Sequence, residues 1–235
     1  MHKIDIPQEI IDSCIRFRGK LHAFEALDPE RTALLVIDMQ TSWVEPGFSP
    51  LHIPATRDIV SNINALAAAA RAAGGVVAWT RSTFPEDWTA RSYARFGAPE
   101  WRDRIIADTV PGSRGHQIAE PMDVHPDDLV VDKTRPSALV QGSSRLEAEL
   151  RERGRDTLVI TGTLTNACCE STARDAAALG FLNIMVSDAM ATRTDVEHNA
   201  TLVNVMQLVA DVRTTADVIA MLRDASARTG REGEA

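Results

Sequence analysis

Cysteine is scarce in this chain: three in 235 residues, two of them adjacent. That number excludes a disulfide framework and points to a reducing, cytoplasmic setting. Long apolar runs are missing, since no stretch approaches the roughly 18 residues of a membrane span. The N-terminal MHKIDIPQEIIDSCIRFRGK carries charges throughout and has no apolar h-region, so no signal peptide is expected. Excess positive charge is missing as well. A net charge of −8 argues against a nucleic-acid or anionic-membrane partner. What is present is ordinary for a globular protein: 44% hydrophobic and 25% charged residues, enough for one large domain.

Residues 1–30 read as a polar, partly helical arm in which Ile6, Ile10, Ile11 and Ile15 fall near helical spacing. From residue 33 the order is regular. ALLVID (33–38) is a continuous apolar run closed by a carboxylate, as expected of a strand buried on both faces. A helix follows over about 56–73 and stops at Gly74-Gly75. VVAWT (76–80), LVVDK (129–133), TLVITG (157–162) and FLNIMVSDA (181–189) are the next strands, with a short one at 211–213. Further helices are expected over 143–154, from the cysteine pair to Leu179, near 195–209 and near 214–222. Residues 81–128 form a long loop with room for one short helix, and loops of that length usually serve a pocket or an interface. The alternation implies an α/β fold: a single doubly wound domain (31–224) with helices on both faces of a mostly parallel five- or six-stranded sheet. The polar tail, 225–235, is expected to be disordered.

In such sheets ligands bind outside the carboxyl ends of the strands. Asp38 follows the first strand, Lys133 ends the third, and Cys168-Cys169 follow the fourth. Each has an ordinary reading: an Asp capping a turn, a solvated Lys, a small thiol in packing. Together they offer a carboxylate, an ammonium and a nucleophile at one edge. A thiol at a helix start faces unpaired N–H groups and the positive dipole end, both of which favour the thiolate. Helical phase then separates the two cysteines. Ala173, Ala176, Ala177 and Gly180 continue the face of Cys169, a small apolar stripe suited to packing on the sheet. Cys168 lies about 100° away, in line with Ser171, Thr172 and Asp175, and is expected to face the cavity.

LLVIDMQ (34–40), VVDKTRPSAL (130–139) and TGTLTNACCESTARDA (161–176) resemble the three signature blocks of the isochorismatase-like cysteine hydrolases. The resemblance runs over about 33–222 and is closest in character to N-carbamoylsarcosine and ureidoacrylate amidohydrolases. In the last block, T-x-x-C-V-x-x-T-A-x-x-A, the residues Thr165, Cys168, Thr172, Ala173 and Ala176 match, and Cys169 replaces the usual Val. The resemblance implies a catalytic triad of Asp38, Lys133 and Cys168 working through a thioester. Asp38 would take the Cys168 proton and pass it to the leaving amine, while Lys133 would hold Asp38 and favour the thiolate. It implies an oxyanion hole from the backbone N–H groups of Leu164 and Cys168, with a cis peptide between Thr163 and Leu164. It also implies a homodimer or homotetramer, with the arm and the 81–128 loop at subunit contacts.

Nicotinamidases of that family carry a metal on an Asp and two His, one of them in an Asp-x-His motif. Here the corresponding region holds only His52, and His116 and His125 are isolated, so no metal or other cofactor is expected. True isochorismatases typically lack the nucleophilic cysteine. The expected substrate is then a small amide, ureido or carbamoyl compound cleaved at a C–N bond. Isochorismatase-type or nicotinamidase-type hydrolysis are alternatives, and a thiol-redox protein using the vicinal pair is a third. Gln40, Trp43, Arg81, Trp88, Asn166 and Arg193 are candidate pocket residues. Trp43 could stack on a planar substrate or serve the core. Arg81 and Arg193 could each pair with a substrate carboxylate or lie in solvent.

Overall fold

Strand β1 (Thr32–Ile37) is buried along its whole length, as a run of Ala, Leu, Val and Ile without polar alternation requires. The computed structural model of the chain describes residues 1–84, 96 and 98–232, with side chains up to 225. Around β1 stand β2 (Val76–Ser82), β3 (Leu129–Lys133), β4 (Thr157–Thr163), β5 (Leu182–Ala191) and β6 (Asp211–Arg213). Among the described residues they form one parallel sheet of six strands in the order β3-β2-β1-β4-β5-β6. The chain winds outward from β1 through β2 and β3, then crosses to β4 and winds outward the other way. The α/β doubly wound fold is therefore present, and its switch point lies between β1 and β4, where such sheets bind ligands.

Eight helices cover the sheet or cap its edge among the described residues: α1 (Gln8–Arg18), α2 (Thr41–Val44), α3 (Val60–Ala72), α4 (Pro99–Thr109), α5 (Leu146–Glu152), α6 (Glu170–Ala178), α7 (Asp195–Leu208) and α8 (Thr215–Glu232). Strand periodicity sorts the apolar residues into two cores. Leu34, Val36, Val77, Trp79 and Val159 meet Ile63 and Leu66 of α3 and Val218 and Leu222 of α8 on one face. Ala33, Leu35, Ile37, Ala78 and Ile160 meet α5, α6 and α7 through Leu146, Ala173 and Leu202 on the other. Fully burying each large side chain contributes about 1.5–3 kcal/mol.

Some element ends differ from expectation. The segment before α3 is a 3₁₀ turn, Pro54–Ile59, because Pro54 opens it without an N–H to donate. Helix α5 starts only at Leu146. The hydroxyls of Ser143 and Ser144 donate instead to the carbonyls of Ser137 and Ala138, which holds the preceding loop. Backbone helix in α8 continues to Glu232, into the segment assigned from sequence to the tail. The arm lies on the domain: Cys14 is buried with its Sγ on the Met206 carbonyl, whereas Ile15 faces solvent on the other side of α1. No helix among the described residues is long and apolar enough to cross a membrane.

Gly162 governs the approach of β4 to β1. Its φ is 105°, and a Cβ there would run into the Ile37 backbone of the paired strand. No rotamer relieves a clash with main chain, so the position requires glycine. Gly162→Ala is expected to lower the thermal midpoint by about 6 °C or more, taking a cost of roughly 3 kcal/mol and 2–4 °C per kcal/mol. Differential scanning calorimetry checks it, and an unchanged midpoint would contradict the close approach.

Candidate active site

The ends of β1, β2, β3 and β4 deliver side chains to a common point. Asp38 follows β1 directly, with its φ at 49°, a left-handed conformation that a non-glycine residue adopts at a cost. Its backbone N–H still donates to the Thr80 carbonyl of β2 at 3.2 Å, so the turn begins without leaving the sheet. Lys133 is the last residue of β3 and pairs in register with Ser82 of β2. Thr80, Ser82, Val131 and Lys133 share the face of Ala78 through the two-residue period, which points both hydroxyls and the ammonium the same way.

The Lys133 ammonium lies 2.8 Å from Asp38 Oδ2. It also donates to Ser82 Oγ at 3.0 Å, to the Arg135 carbonyl at 3.0 Å and to Cys168 Sγ at 3.5 Å. The Asp38 carboxylate accepts from Thr80 Oγ1 at 2.8 Å and from Ser82 Oγ at 2.6 Å. Relative exposures are 1% for Asp38, 0% for Lys133 and 8% for Cys168, so the cluster is nearly dry and the thiol is its most accessible member. The Phe84 ring, 5.6 Å from the ammonium, closes another side.

Burial disfavours the charged lysine, yet Asp38 and Cys168 outweigh it and hold the Lys133 pKa above the ordinary lysine range. The thiol behaves otherwise. Burial pushes the Cys168 pKa up to about 12; Lys133 opposes this, and the charge of Asp38 adds to it. Cys168 is thus shifted towards its protonated form, away from the thiolate that a helix start would favour. The reason is local geometry as well as burial. Residues Thr165–Cys169 form a single π-helical turn, and regular helix begins only at Glu170. In that turn the N–H groups of Ala167 and Cys169 are already taken by the Leu164 carbonyl.

The two thiols have parted. Cys169 is fully buried among Ala173 and Ala176, with Sγ 3.7 Å from the Thr161 carbonyl. Burial raises its pKa well above the ordinary thiol value. Cys168 faces Lys133 and Asp38 instead. The peptide between Thr163 and Leu164 is cis.

Of the pocket candidates, the structure brings some elsewhere. Gln40 is buried with both amide hydrogens committed, to the carbonyls of Ser82 and His116, while its Oε1 accepts the Ser82 N–H. It ties β1 to β2 and has no hydrogen left for a substrate. Trp43 packs in the core with Leu51 and Ile53. Arg81 points to the opposite face of the sheet from Lys133 and pairs with Asp132 at 2.7 Å, as strand alternation demands of neighbours of Ser82 and Lys133. His116 joins that face, buried, with Nε2 at 2.7 Å from Thr83 Oγ1. Asn166 accepts from Thr192 Oγ1 at 2.6 Å beside the cysteine turn. Arg193 is exposed, and Trp88 lies outside the described residues. His52 is half-buried, with its pKa lowered by burial and then by Arg57, and His125 is exposed. Among the described residues, no three His, Cys, Asp or Glu side chains form a metal-ligating group.

Thr80 and Ser82 were not singled out from sequence, although they hold the carboxylate. Their signal was there: two hydroxyls at a spacing of two, at the carboxyl end of the strand beside β1.

A family model described as the isochorismatase domain matches residues 32–217, which takes in every strand of the sheet. A cysteine hydrolase from Pseudomonas syringae pv. phaseolicola 1448A is 29% identical, with a TM-score of 0.77 over 87% of this chain and 98% of that one. An isochorismatase family protein from Burkholderia thailandensis is 29% identical, with a TM-score of 0.67 over 84% and 98%. An isochorismatase-like hydrolase from Alkaliphilus metalliredigens is 26% identical, with a TM-score of 0.66 over 81% and 98%. Sequence blocks, strand order and whole-domain match agree, and the chain belongs to the isochorismatase family of hydrolases.

Proposed function

We propose that the protein is a cysteine-dependent hydrolase that cleaves a C–N bond of a small amide, ureido or carbamoyl compound. The observation that carries this is the dry contact of a thiol, a carboxylate and an ammonium at the switch point of the sheet. Its similarity to a protein described as a cysteine hydrolase supports the choice of nucleophile.

Because burial keeps the proton on sulfur, deprotonation goes with attack rather than before it. As Cys168 Sγ bonds to the carbonyl carbon, its proton passes to the Asp38 carboxylate. The carbonyl electrons move to oxygen, and the backbone N–H groups of Leu164 and Cys168 stabilise that charge, a donor pair that can lower the barrier by about 3 kcal/mol per bond. Collapse breaks the C–N bond, and Asp38 returns the proton to the departing nitrogen. Water then adds to the thioester with Asp38 as base, releasing the acid and restoring the thiol. Lys133 stays charged throughout, offsetting Asp38 and the developing negative sulfur. The hydroxyls of Thr80 and Ser82 keep the carboxylate aimed.

Ammonia release over small primary amides, ureido acids and carbamoyl amino acids tests the reading. Turnover of one of these classes, nearly lost in Cys168→Ser, is the expected result. Turnover that survives that substitution would remove the cysteine mechanism. Inertness of the folded protein towards the whole panel would remove the C–N assignment.

A further inference from the structure

Two histidines outside the catalytic cluster are buried against the turn that carries Cys168. His198, on α7 and 0% exposed, shares a hydrogen bond of 2.9 Å between its Nδ1 and Thr165 Oγ1, the first residue of that turn. The ring of His2 stacks on it, with centroids 4.6 Å apart and planes at 21°. His2 Nε2 accepts the Thr192 N–H at 3.0 Å, so the ring proton sits on Nδ1, which faces Asp195 Oδ1 at 2.7 Å. Thr192 in turn donates through Oγ1 to Asn166, the second residue of the turn, at 2.6 Å. Asn199 clamps the same N-terminal segment, accepting from the Asp5 N–H and donating to the Lys3 carbonyl. Residues 165 and 166 are thus both held from one pair of rings.

We propose that His2 and His198 form a two-ring brace that positions the Cys168 turn, its outer ring supplied by the segment that precedes the family domain. Neither ring reaches Asp38, Lys133 or the sulfur through any of these bonds, so both are positioning residues rather than catalytic ones. Burial, then the neighbouring His2 ring, hold the His198 pKa down at about 4, so the inner ring is neutral near pH 7 and the stack carries no mutual charge repulsion there. A thioester route needs Sγ within bond-forming reach of a carbonyl carbon, and a small displacement of such a group lowers rate steeply.

The kinetic part of the inference rests on the hydrolase reading; the positional part does not. The test compares His2→Ala and Thr165→Val with the conservative His2→Gln, which restores an acceptor near Nε2, and Thr165→Ser, which restores the hydroxyl. Three quantities are read: kcat and KM on a hydrolysed panel substrate, the labelling rate of Cys168 by methyl methanethiosulfonate followed by mass spectrometry, and the thermal midpoint. His2→Ala and Thr165→Val are expected to lower kcat by about 10- to 100-fold with little change in KM. They are expected to speed Cys168 labelling several-fold, and the Gln and Ser variants to return both values most of the way. If the substitutions lower only the thermal midpoint, leaving kcat and Cys168 labelling as in the parent, the brace is overturned. Should no panel substrate be hydrolysed, faster labelling reversed by the conservative variants still supports the brace while the hydrolase reading fails, and unchanged labelling removes the brace.

Discussion

Cys168→Ala is expected to reduce hydrolysis to background, a fall in kcat of at least about 10⁴-fold, while Cys169→Ala keeps activity within a factor of about two. The sequence neighbours differ in what they touch. Cys168 Sγ accepts from the Lys133 ammonium at 3.5 Å, and the same ammonium lies 2.8 Å from Asp38 Oδ2. Cys169 Sγ lies against the Thr161 carbonyl in the packing between α6 and the sheet. Truncating it removes a small buried group, with a cost of about 1 kcal/mol and a midpoint lowered by a few degrees. A vicinal redox couple predicts the opposite, equal sensitivity of both thiols. Steady-state kinetics on the two purified variants decides it, and an inactive Cys169 variant beside an active Cys168 variant would sink the assignment.

Asp38→Asn is expected to lower kcat by about 10³-fold, within the 10²–10⁴ range for removing a general base, and to destabilise the fold as well. The amide keeps the shape of the carboxylate but only one acceptor oxygen for the Thr80 and Ser82 hydroxyls, which now donate to two, and it neither takes the thiol proton nor offsets Lys133. That ammonium is fully buried, and an uncompensated buried charge costs about 3–5 kcal/mol. Adding Lys133→Met to Asp38→Asn removes the stranded charge and substitutes apolar packing beside Phe84. The double variant should therefore regain most of the lost stability and none of the lost activity. Urea unfolding with parallel rate measurements checks both halves. Activity that returns with stability would mean that Asp38 serves the fold and not the chemistry.

Much of this arrangement was legible in the chain. β1 announces itself because burial on both faces leaves only apolar residues, and the acid that ends it stands out against that run. The phase of α6 placed Cys169 in the packing, since the stripe of small residues has to face the sheet. Arg81 and Gln40 were harder. Both sit at the ligand edge in sequence, yet alternation along β2 sends Arg81 to Asp132 on the far face, and three backbone groups absorb the amide of Gln40. His198 carried no local signal, because its partners, Thr165 and His2, are 33 and 196 residues away in sequence numbering.

Period, apolar runs and turn residues act between near neighbours, so sequence by itself determined the order of strands and helices, the two-faced burial of the sheet and which residue types end its strands. Tertiary structure decided the direction in which the Cys168 thiol is shifted. A helix start offers a thiolate a few partial charges over one turn, whereas removal from water disfavours it from every direction at once. Burial by segments far apart in the chain therefore wins over the dipole that neighbours supply.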